Sequence, residues 1–109
     1  MSNKGFRNLA VAITKNAYSD YWDHYLVLRR AEEQGDKDLV GSSERELQRI
    51  ERFFASEWYN EILCGIAPML CRLKFKEFLQ RLPAKYEEFK IKGKKGCSVD
   101  SLFLEISNA

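Results

Sequence analysis

The chain has 109 residues, 45% of them hydrophobic and 13% aromatic, with a formal net charge of +2. That length and apolar share suit a single domain, residues 1–109, with one modest core filled largely by rings. No apolar run reaches the roughly 20 residues of a membrane-spanning helix, so a transmembrane span is excluded. The first residues lack the apolar stretch of an export signal, and the three cysteines are an odd number, so reduced thiols in the cytoplasm are expected. The small net charge hides an uneven distribution. Residues 72–95 hold nine Lys/Arg against three Asp/Glu, while the flanking stretches are both slightly acidic.

A long first helix is predicted from Phe6 to about Gln34. Leu9, Ile13, Ala17, Tyr21 and Tyr25 step by four, and Phe6, Ala10 and Leu28 widen that face. Tyr18, Trp22 and Leu26 lie beside it, so the stripe is broad enough for two neighbours. Gly35-Asp36 is the expected stop. Residues 36–42, mostly polar with one glycine, read as a loop or one helical turn around Leu39 and Val40. Ser43-Glu44-Arg45-Glu46 then fits a capping box that opens a helix from about Glu44 to Ala55. Ser56 offers a second cap, and Trp58, Tyr59, Ile62 and Leu63 continue on a short following helix.

Gly65 suits a helix end and Pro68 the first turn of a third helix, whose face comprises Met69, Leu70, Leu73, Phe78, Leu79 and Leu82. Pro83 is expected to interrupt it, leaving Tyr86, Phe89 and Ile91 on a short helix or an extended piece. Residues 92–96 read as a lysine-rich turn. In the tail, Val99, Leu102, Phe103 and Ile106 fit a helix capped by Ser98, while Leu102, Leu104 and Ile106 fit strand alternation; the helix is favoured. The expected fold is therefore all-α, a bundle of about four helices with the long first helix packed on the capped aromatic one.

Two blocks carry a resemblance. Asn8-Leu9-Ala10-Val11-Ala12-Ile13 with Ala17 and Asp20-Tyr21 forms the first, and Ile50-Glu51-Arg52-Phe53-Phe54-Ala55-Ser56-Glu57-Trp58-Tyr59 the second. Over about residues 6–63 the chain resembles a group of short proteins carried by phages and integrative elements of Firmicutes, with the pattern NLA-x-AI … A-x-x-DY … IE-x-FF-x-S-x-WY. The chain departs from that pattern at Cys64-Gly65-Ile66-Ala67-Pro68, where an acidic turn is usual. The resemblance implies a phage or mobile-element context; it brings no catalytic residues with it.

Among candidate sites, Tyr18, Trp22 and Tyr25 fall beside the main stripe of the first helix. Exposed together, they would mark a surface for a host protein or for a second copy. Phe53, Phe54 and one of Trp58 and Tyr59 are expected in the core. Lys85, Lys90, Lys92, Lys94 and Lys95, with Tyr86 and Phe89 among them, form a basic and aromatic mix of the kind that contacts nucleic acid or an acidic partner, though Glu87 and Glu88 interrupt it. Asp20, Asp23 and the lone His24 are the only acid–base grouping, and an exposed helical face explains them as well. Cys64 and Cys71 read as buried small hydrophobes and Cys97 as an exposed thiol beside lysines. Neither a metal nor a cofactor is expected.

These features together point to a non-enzymatic protein-interaction factor acting on a host protein or nucleoprotein complex. An inhibitor of a host defence system, such as an anti-CRISPR protein, is one concrete form. The alternative is a nucleic-acid-binding accessory protein working through residues 72–95.

Overall fold

The computed structural model describes residues 3–68, 70 and 75–92, with side chains from residue 5 onward. Among these, the regular elements are helices. Helix α1 (Asn3–Gln34) is followed by α2 (Lys37–Ala55). A π-helical segment (Trp58–Leu63) then runs into a single turn, α3 (Cys64–Ile66), and α4 is Phe75–Lys92. At 1.5 Å per residue, α1 alone measures about 48 Å, which accounts for the 51 Å long axis. The fold is the expected all-α bundle, with the long first helix lying on the aromatic second one.

The α1–α2 connection is two residues long. Gly35 takes the left-handed conformation, φ 73°, that L side chains rarely adopt. Its N–H donates to the Glu32 carbonyl at 3.3 Å, and the Asp36 N–H donates to the Ala31 carbonyl at 3.0 Å. This pair of bonds is the Schellman closure of a helix. Asp36 also begins the next helix, its carboxylate accepting from the Leu39 N–H at 3.1 Å.

The stretch expected to be a loop or a single turn is therefore continuous helix from Lys37 onward, and Ser43 is no cap. Ser43 is buried in mid-α2, and with the helix nucleated at Asp36 the serine and glycine residues continue it. Gly41 has nothing but the end of the Arg45 side chain within 4 Å of a would-be Cβ, so no turn depends on it.

The second cap is found where expected. The Ser56 hydroxyl accepts from the Tyr59 N–H at 3.2 Å, and Asn60 binds the Phe54 and Ser56 carbonyls. The chain then winds wide, with the Cys64 N–H reaching back five residues to the Tyr59 carbonyl. That wide turn directs Tyr59, Leu63 and Cys64 inward.

Helix α4 corrects a second expectation. Pro83 lies inside it, on the exposed side, and the helix continues to Lys92. The lost N–H bond is offset by a stripe that runs unbroken across the proline. Phe78, Leu82 and Tyr86 are all buried, and Phe89 packs beside them. The expected third-helix residues Met69 and Leu73 lie outside the described residues, as do Cys71, Cys97, Lys94, Lys95 and the tail.

Helix α2 runs antiparallel to α1, since Tyr21 meets Glu51 and His24 meets Glu46. Helix α4 runs parallel to α1, with Tyr18 against Phe78 and Tyr25 against Tyr86. Helix α1 therefore serves two neighbours, as its broad stripe suggested.

Candidate functional site: a groove and an apolar end

Tyr18, Trp22 and Tyr25 do not form an exposed surface. Tyr18 is 1% and Trp22 7% accessible, and Tyr25 is half-buried. The Tyr18 ring meets Phe54 of α2 at 4.8 Å and Phe78 of α4 edge-on at 4.6 Å. Trp22 meets Phe89 edge-on at 6.2 Å, and Tyr25 meets Tyr86 in the same way. The expectation of exposure fails because α4 covers this side of α1 with a row of its own rings. Such edge-on pairs add about 0.5–1.5 kcal/mol each beyond their burial. Burial, with Tyr59 and Cys64 nearby, pushes the Tyr18 phenol well above the ordinary tyrosine range, so it stays protonated.

These rings support a groove. Phe54 of α2 and Phe75 of α4 stack at 4.3 Å with an 18° tilt, resting on Tyr18 and Tyr21. Above them opens a hollow of about 740 Å³, lined on its apolar side by Phe54, Phe75, Ala55 and Leu79 and on its polar side by Glu51, Lys76, Glu77 and Gln80. Glu51 is held in place by the Tyr21 hydroxyl, which donates to it at 2.9 Å. Burial, and then that hydrogen bond, raise the Tyr21 phenol, so it remains the donor. An apolar floor with a few fixed polar groups is the usual make-up of a binding site.

The candidate lysines that are described serve the fold. Lys90 pairs with Glu33 of α1 at 2.9 Å and lies 5.0 Å from the centre of the Tyr86 ring, and the Tyr86 hydroxyl donates to the same Glu33 at 2.9 Å. The Lys90 and Tyr86 bonds hold the Glu33 carboxyl below its usual range. Arg29 lies over Tyr86 and Arg30 over Phe89. Lys85 and Lys92 both pair with Glu88, at 3.7 and 3.3 Å, and lower its carboxyl in turn, Lys92 most. The acids that interrupt the basic run are thus the partners of its lysines. Four of the nine basic residues of 72–95, Arg72, Lys74, Lys94 and Lys95, lie outside the described residues.

His24 faces Glu46 across the α1–α2 seam at 3.9 Å, and Glu46 also takes Arg49 at 3.0 Å. Asp20 and Asp23 are exposed beside it. Among the described residues, no three His, Cys, Asp or Glu side chains come together as a metal site would need. Cys64 is buried. Of the aromatic cluster, Phe54 and Tyr59 are buried, Phe53 is half-buried and Trp58 is exposed, as the one-of-two expectation allowed.

A second surface emerges at the N-terminal end of α1. Phe6 and Leu9 on α1, and Trp58, Ile62 and Ile66 on the π segment and α3, are between 40% and 58% exposed. Helix α3 packs on α1, and Ala10 and Thr14 of α1 are fully buried.

The groove residues Phe75, Glu51 and Ala55 carried no flag in the sequence. A signal for Phe75 was present, since Phe75, Phe78, Leu82, Tyr86 and Phe89 form one helical stripe that passes through Pro83. No family model, no curated protein and no solved structure matches the chain.

Proposed function

We propose that this chain is a non-enzymatic protein-binding factor whose docking site is the groove between α2 and α4. The observation that carries the reading is the ring floor of Phe54 and Phe75 beneath a rim where the carboxylates of Glu51 and Glu77 outnumber the single ammonium of Lys76. The partner that fits is a protein segment placing one large apolar side chain on the rings and a lysine or arginine against the rim. The resemblance of residues 6–63 to phage and mobile-element proteins gives the reading its context: a host protein or nucleoprotein as target, and inhibition of a defence system such as CRISPR as the consequence.

The test is capture of host proteins on tagged protein after nuclease digestion, with wild type beside Ala55→Trp. Ala55 is exposed and lines the groove, so the new ring fills it without entering the core. A stoichiometric protein retained by wild type after digestion and lost from Ala55→Trp is the expected result. Loss of every partner on digestion would instead favour the nucleic-acid reading for residues 72–95. Phage restriction that proceeds unchanged in the presence of the protein would remove the defence-inhibitor form.

A further inference from the structure

One charge on the wall of the groove is fastened to the core. Glu51 is half-buried on α2, and the Tyr21 hydroxyl of α1 donates to its Oε1 at 2.9 Å. Tyr21 is itself 5% exposed, and its ring meets Phe75 at 5.3 Å and Phe78 at 6.0 Å, both at steep angles. A ring packed in this way cannot turn without repacking α1 against α4, so its hydroxyl is fixed in place. Burial and the Glu51 bond keep the phenol protonated, so it stays the donor and the carboxylate stays the acceptor. The other oxygen, Oε2, has no partner among the described residues. Glu51, Phe54 and Ala55 stand at i, i+3 and i+4 on one face of α2, which puts the held carboxylate beside the ring floor.

The α4 side of the rim carries Lys76 and Glu77, whose charges sum to zero, so the net charge of the rim is that of Glu51. A glutamate free in solvent must give up rotamer freedom to hold a cation, which offsets much of what an exposed ion pair gains. Glu51 gave up that freedom on folding, and the apolar floor beside it reduces the screening by water. Taking the α2–α4 groove as the docking site, on which this rests, we infer that Glu51 is its specificity-determining residue and Tyr21 the positioning residue that holds it. The ligand class they select is an ammonium or guanidinium set beside a large apolar body, as in a partner's lysine or arginine next to an aromatic side chain. If the Tyr21–Glu51 bond served only to tie α1 to α2, its removal would weaken every ligand of the groove alike.

Two probes of the same shape test this. Tryptamine and tryptophol share an indole ring and a two-carbon arm, and differ in ending on an ammonium or a neutral hydroxyl. Each is titrated into the isotope-labelled full chain while amide chemical shifts are followed. Both are expected to move the amides of Glu51, Ala55, Leu79 and Gln80, with tryptamine binding about threefold tighter or more. Tyr21→Phe keeps the ring and removes only the hydroxyl; Glu51→Gln keeps the shape and removes the charge. Each is expected to bring tryptamine down to parity with tryptophol while tryptophol binds as before, and the double variant is expected to do no more than either. Ala55→Trp is expected to exclude both probes. Equal binding of the two probes to wild type overturns the selectivity and leaves the groove standing. A preference that survives Tyr21→Phe, or an equal loss of both probes in that variant, overturns the positioning role. If neither probe moves these amides, the groove itself falls as a docking site.

Discussion

Helix α1 is apolar at its N-terminal end and in its middle, yet the two regions behave differently. In the middle, Tyr18, Tyr21 and Trp22 each meet rings from α2 or α4 and are covered. At the end, Phe6 and Leu9 have comparable side chains and remain more than half exposed. What differs is the element standing opposite. The described part of α4 begins at Phe75, level with Tyr18 and Tyr21, so among the described residues its rings meet the middle of α1. Apolar residues in the middle therefore hold the fold together, while Phe6 and Leu9 at the end keep more than half of their surface accessible.

The largest effect is expected in the middle. Phe78 is fully buried between Tyr18 and Tyr21, and Phe78→Ala should cost about 3–5 kcal/mol of unfolding free energy in a denaturant titration. A loss below 1 kcal/mol would mean that the α1–α4 ring row is not what joins the two helices. The α1–α2 connection comes next. Asp36→Ala removes the cap on Leu39 and should cost about 1 kcal/mol in the same titration.

At the end, Leu9→Ser with Ile62→Ser should change the stability of a dilute sample by less than about 0.5 kcal/mol. A larger loss would place these residues in the core and erase the contrast between the two regions. The smallest effect concerns Glu33, whose bonds to Lys90 and Tyr86 hold its carboxyl below the usual range. A depressed carboxylate contributes stability that is present above its unfolded value and lost as pH falls through its folded one. Wild type should therefore lose part of the α1–α4 tie as pH drops below roughly 4, and Glu33→Gln should flatten that limb of the thermal-midpoint profile. An identical acid limb in both proteins would assign the pH dependence elsewhere.

Much of the architecture could be read directly from residue spacing. The long α1, its stop at Gly35-Asp36 and the Ser56 cap follow from local rules that need no tertiary partner. The start of α2 was misplaced because Asp36 was read only as part of a stop, although its carboxylate also begins the next helix. The interruption at Pro83 gave too much weight to one missing hydrogen bond and too little to the stripe on either side of it. The surface role for Tyr18 and Trp22 failed for a similar reason. Whether an aromatic on a broad stripe is covered depends on a helix more than fifty residues away in sequence. The groove and the apolar end arise only when three helices meet, so no single window of sequence displays them.

The contrast between the two regions is tested most directly by amide hydrogen exchange of the wild-type protein. In a dilute sample, the amides of residues 18–31 should exchange only through global unfolding, while those of residues 7–9 exchange by local opening. Uniform protection along α1 would contradict the account.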